Sequence, residues 1–82
     1  MLDINHSPEF LKKIEKIKNN ALKEKIKKQI AKIIEFPEIG KPMRYSRKGT
    51  RELHIRPFRI SYAYLKGNNK IVFLDLYHKD EQ

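Results

Sequence analysis

Residues 52–59 read Glu-Leu-His-Ile-Arg-Pro-Phe-Arg. A carboxylate, an imidazole and two guanidinium groups fall close together at Glu52, His54, Arg56 and Arg59. Guanidinium groups bind phosphate or carboxylate with fixed, forked geometry. An imidazole changes charge near neutrality, so it can give or take a proton. A second group of reactive types, Tyr77-His78-Lys79, stands at the other end of the following apolar run. The side chains therefore suit work on a phosphorylated polymer.

The charge distribution supports that reading. Nineteen Lys and Arg against ten Asp and Glu give a formal net charge of +9. Residues 9–38 mix Lys with Glu at helical spacing, as a solvated helix face does. Within residues 41–59, Lys41, Arg44, Arg47, Lys48, Arg51, Arg56 and Arg59 meet one acid, Glu52, and every arginine of the chain lies there. That clustering predicts an anion-binding surface whose partner is RNA, DNA or an acidic protein. There is no cysteine, which removes disulfides and thiolate metal sites. The three histidines include no i,i+4 pair, so no zinc site is expected, and no cofactor motif appears. No apolar run is long enough to span a bilayer, and the first residues lack a signal peptide's apolar core. A cytoplasmic protein is the expectation.

The elements that must position these groups follow from periodicity. Leu2-Asp3-Ile4 alternates and suits a short first strand. Ser7-Pro8-Glu9 is a helix start, with a capping hydroxyl, proline in the first turn and an acid beside it. Phe10, Leu11, Ile14 and Ile17 then recur at helical spacing. Asn19-Asn20 breaks the pattern, and Leu22, Ile26, Ile30, Ile33 and Ile34 form the stripe of a second helix that Pro37 ends. Residues 40–49 are irregular and basic, with Met43–Ser46 a possible strand. From Arg51 the period becomes two, placing Leu53 and Ile55 inward and Glu52, His54 and Arg56 outward. Pro57 marks a tight turn, Phe58–Tyr64 alternates again, and Gly67-Asn68-Asn69 turns once more. Tyr62 and Tyr64 read as core or rim residues rather than base-stacking ones. Ile71–Tyr77 is apolar on both sides except at Asp75, as a central strand is. The fold class is α+β over residues 1–82 as one domain. A helical hairpin covers one face of a small antiparallel sheet, and the basic groups occupy the other face.

The order and charge of these pieces, above all "RELHIRPFRISY" followed by a last strand ending "LYHKDEQ", resemble the RelE/ParE toxin superfamily. The resemblance covers essentially the whole chain. It implies the toxin of a type II toxin–antitoxin module, in the RelE- and YoeB-like branch an endoribonuclease that cuts mRNA in the ribosomal A site without a metal or other cofactor. It also implies an acidic, RelB-like antitoxin as partner, with the ribosome and its mRNA as targets and no membrane. Arg59 matches the arginine that such toxins place near the scissile phosphate. His54 and Arg56 fall on the strand that carries basic catalytic groups, His78 resembles a near-terminal histidine of YoeB-like toxins, and Lys79 stands where RelE-like members have an arginine. Lys41, Arg44, Arg47, Lys48 and Arg51 would then hold RNA. Glu52 is the alternative to His54 for a proton-transfer role, and His54 is preferred. Two features of the family have no clear match: the tyrosine that many members carry after this point, and the loop glutamate of YoeB-like enzymes. The ParE-like branch implies a DNA gyrase inhibitor instead. A third reading is an inactive homologue that only binds nucleic acid.

Overall fold

A computed structural model of the chain describes residues 2–43 and 49–78. Five strands and two α-helices follow one another as β1 (Asp3–His6), α1 (Pro8–Glu15), α2 (Asn20–Glu35), β2 (Lys41–Pro42), β3 (Thr50–Ile55), β4 (Phe58–Leu65) and β5 (Lys70–His78). The spatial order is β1-β5-β4-β3-β2. Strands β2 to β5 pair antiparallel, whereas β1 joins β5 in parallel, so the sheet is mixed rather than wholly antiparallel. Between β1 and β5 the chain runs through both helices and the other three strands, a connection more than long enough for a parallel pair. β5 is an interior strand, as its two-sided apolar character predicts.

Local chemistry starts each helix where expected. The Ser7 side chain accepts from the Phe10 amide and donates to the Leu74 carbonyl, tying the start of α1 to β5. Asn19 caps α2 by accepting from the Leu22 amide. Phe10, Ile26 and Ile33 enter a core with Ile55, Ile60, Tyr62, Ile71, Phe73 and Leu76. Phe10 stacks on Phe73 with ring centroids 5.2 Å apart. Leu11, counted in the same apolar stripe, keeps 43% of its surface exposed, because α1 spans two turns and only one edge of it meets the sheet.

The short strand before β3 lies at Lys41–Pro42. Of the possible Met43–Ser46 strand, Met43 continues the pairing by donating its amide to the Thr50 carbonyl, and Arg44–Ser46 fall outside the described residues. Two expectations change. In β5 the register shifts opposite Ser61/Tyr62, so Phe73 and Leu76 both reach the core although they are an odd number of residues apart. Glu52, read as outward-facing, is buried at 5% exposure.

Tyr62 fixes the connection from α2 to β2. Its hydroxyl donates to the Pro37 carbonyl at 2.7 Å and accepts from the Gly40 amide at 2.8 Å. Arg51, its cross-strand neighbour, donates to the carbonyls of Glu38 and Gly40. Desolvation by burial raises the Tyr62 pKa above the ordinary 10.0, opposed by the Gly40 hydrogen bond and the Arg51 charge. A raised folded-state value means that the unfolded chain loses this proton first as pH increases, so stability present below pH 10 is lost above it. Chemical unfolding of the wild type and Tyr62→Phe between pH 9 and pH 11 should show the steeper decline in the wild type. Parallel declines would disprove the assignment.

Candidate active site

Strand alternation sorts the reactive side chains. The two-residue turn Arg56-Pro57 closes β3 onto β4 with Ile55 opposite Phe58, which places His54 opposite Arg59. Arg59 in turn faces Tyr77 on β5. His54, Arg59 and Tyr77 thus form one row across three strands, on the sheet face away from the apolar core. In the next row, Glu52 stands opposite Ser61 and, on its other side, Lys41. Arg56 lies in the turn, just beyond the row of His54 and Arg59.

Glu52 is the centre of this cluster. Its Oε1 accepts from Arg59 Nη1 at 3.3 Å and lies 3.3 Å from His54 Nε2. The carboxylate is almost closed off, Arg59 is 24% exposed, and His54 is open at 56%. One buried oxygen therefore holds two cationic or proton-bearing groups, of which His54 stands open to solvent. When Nε2–H donates to Glu52, Nδ1 of His54 carries the free lone pair. That is the arrangement of a base oriented by a third group. Glu52 Oε2 and the Tyr77 hydroxyl are buried with no hydrogen-bond partner among the described residues. An unpaired buried polar atom costs roughly 1–3 kcal/mol, which is unusual outside functional sites.

The remaining predicted residues are distributed differently. His78 follows Tyr77 on the strand and turns to the helix-covered face, where its ring meets Phe58 edge-on at 5.6 Å. Arg51 also points to the helix-covered side and is occupied by loop carbonyls. Lys41 lies exposed on the edge strand β2. Arg44, Arg47, Lys48 and Lys79 lie outside the described residues. Sequence reasoning ranked Glu52 second and gave Tyr77 no part. The turn at Pro57 carried the signal for the His54–Arg59 pair, since a two-residue turn fixes the register. The place of Tyr77 depends on the β5 bulge.

The sequence matches the model of the ParE toxin of the type II toxin–antitoxin system parDE over residues 4–82. The chain belongs to the ParE toxin family. No curated protein matches it. Among solved structures, the fold of this ParE-family chain is similar to that of the YoeB/ParE toxin from Agrobacterium tumefaciens, at 13% identity and a TM-score of 0.81, covering 94% of this chain and 98% of that one. A chain of the intact E. coli RelBE toxin–antitoxin complex matches at 15% identity and a TM-score of 0.78, covering 95% and 96%. YafQ from E. coli strain BL21(DE3) matches at 21% identity and a TM-score of 0.73, covering 99% and 97%. The RelE-like arrangement of two helices on a five-stranded sheet is thus the fold of this ParE-family toxin. No helix among its described residues is long and apolar enough to cross a membrane.

Proposed function

We propose that this toxin is a metal-independent endoribonuclease that cleaves mRNA on the ribosome in the cytoplasm, and that an acidic cognate antitoxin neutralises it. The observation that carries the reading is the Glu52-centred cluster, which puts an oriented imidazole beside a guanidinium on an open sheet face. A protein that only binds has no use for an oriented proton acceptor there.

In this reading His54 Nδ1 takes the proton of a ribose 2′-hydroxyl. The 2′-oxygen bonds to phosphorus while the bond to the 5′-oxygen breaks, leaving a cyclic phosphate and a 5′-hydroxyl. Arg59 stabilises the charge that gathers on the non-bridging oxygens, the larger share of the rate in most such sites. Arg56, in the adjoining turn, supplies a second cation to the RNA strand. Water on the open face supplies the proton for the leaving oxygen. His78, to which the resemblance gives proton transfer, ends β5 and would have to act from around the strand end, and Lys79 lies outside the described residues. Glu52 is a positioning residue rather than the base, because its carboxylate is closed to solvent.

The test is to induce the chain in a host cell and map new 5′ ends across its mRNA. Wild type should arrest growth with cuts inside translated codons. His54→Gln keeps a polar group of similar size but is no base at Nδ1, and should reduce cutting by about 10²–10⁴-fold. The ParE match favours a second reading, an inhibitor of DNA gyrase. Growth arrest with intact mRNA, unchanged in His54→Gln, would establish that reading and end the first.

A further inference from the structure

Three contacts from Ser7 and α1 converge on one short stretch of β5. The Ser7 amide donates to the Phe73 carbonyl at 2.8 Å, and the Ser7 hydroxyl donates to the Leu74 carbonyl at 2.6 Å. Lys13 Nζ reaches Asp75 Oδ1 at 2.7 Å, and the same oxygen accepts from the Leu76 amide at 2.8 Å. The register breaks in this stretch. Tyr62 faces Phe73 and Ser61 faces Asp75, so Leu74 is the extra residue, with no partner on β4. In a regular antiparallel strand consecutive carbonyls point to opposite edges. Ser7 holds those of Phe73 and Leu74 together because the bulge turns both toward it.

We infer that Ser7 is a positioning residue of the active face: through the Leu74 carbonyl it holds the bulge that sets Tyr77 beside Arg59. The effect on cutting rests on the nuclease reading, whereas the placement does not. Pairing continued from Tyr62–Phe73 without the extra residue would set Leu76 against Arg59 and Tyr77 against Phe58. It would also bring the Asp75 carboxylate to the core residue Ile60, so the strand does not settle in that register. Loss of the clamp instead loosens the bulge, and the residues after it move with the backbone. Tyr77 is buried and is the β5 neighbour of Arg59, whose guanidinium Glu52 holds from the β3 side. A shift of Tyr77 therefore displaces Arg59. Misplacing a reacting group by about 1 Å costs about 10²-fold in rate. Bulges beside active sites re-aim side chains in this way.

Ser7 also caps α1 by accepting from the Phe10 amide, and substitution separates the two roles. Aspartate and glycine serve as caps but cannot donate to the Leu74 carbonyl, and threonine does both. In the full chain, Ser7→Asp and Ser7→Gly should stay folded and cut mRNA about tenfold to a hundredfold less than the wild type. Ser7→Thr should cut within about twofold of it, because its hydroxyl restores the donor. Asn19→Ala removes the cap of α2 and is the control for lost stability. It should lower the urea midpoint and keep its cutting. The side-chain NMR signals of Arg59 and Tyr77 should move in Ser7→Asp and Ser7→Gly, and stay in place in Ser7→Thr and Asn19→Ala. Donor-free variants that cut like the wild type, or an equal loss of cutting in Asn19→Ala, would overturn the inference. If the wild type leaves mRNA intact, the nuclease reading fails and the two signals decide alone. Movement in the donor-free variants then keeps the clamp, and unmoved signals end it.

Discussion

Arg59→Ala is expected to lose two things at once. Cleavage should fall by about 10²–10³-fold, the effect of removing one preorganised charge-stabilising donor. Stability should also fall, by about 2 kcal/mol, because the variant leaves the buried Glu52 carboxylate without its guanidinium. Breaking a fully buried pair costs roughly 3–5 kcal/mol. The smaller figure follows from the 24% exposure of Arg59 and a contact of 3.3 Å, which let water share the work. Adding Glu52→Ala separates the effects. The double variant should recover much of the lost stability, since no buried charge remains unpaired, yet stay as inactive as the single one. Urea midpoints at constant slope measure the first outcome, and mRNA cleavage measures the second. If Arg59→Ala unfolds at the wild-type midpoint and still cuts, the pair is incidental and the active face must be sought elsewhere.

Gly40→Ala should be the most damaging small substitution in the connection between α2 and the sheet. A methyl group at this position would meet Tyr62 Oη at 2.6 Å and Tyr62 Cε1 at 2.8 Å. Tyr62 has no room to retreat, for its ring is fully buried and tilted against Phe73, and its hydroxyl is held by Pro37. The backbone at residue 40 has to move instead, breaking the hydrogen bonds from the Gly40 amide and to its carbonyl. Overpacking and the lost pairing together amount to about 3 kcal/mol. For a domain of this size that is a fall in melting temperature of roughly 10–20 °C. Activity should drop as well, because β2 follows immediately and sets Lys41 across from Glu52. Tyr62→Phe in the Gly40→Ala background removes the nearest clashing atom but not the ring carbon, so the double variant should be less damaged than the two single losses added. Full additivity would mean that the two residues do not meet as described.

The two helices and the last three strands are legible, in order, from the residues alone. Ser7 and Asn19 cap the helices they precede because a side-chain oxygen must satisfy amides that the helix leaves open. Alternation in 51–64 marks the strands because one face of each must be buried, and Pro57 fixes the register that sets His54 against Arg59. The facing of His54 and Arg59 follows from that two-residue turn, although the sequence analysis marks only the turn.

Tertiary structure decided which of the polar groups are inside. Alternation assigns Glu52 to a face, but it does not say how that face is covered, and a carboxylate is expected outside unless a partner is known. Its partner, Arg59, reaches it only across the turn. Alternation also fails through β5, where one extra residue at the bulge inverts the side of everything after it. Tyr77 is placed beside Arg59 and His78 behind the sheet by that single insertion, which leaves no mark in composition or period. Arg51 has the same side-chain chemistry as Arg59, yet it binds loop carbonyls on the helix-covered side. Charge identifies what an arginine can hold, and only the packed fold determines which anion or carbonyl it finds.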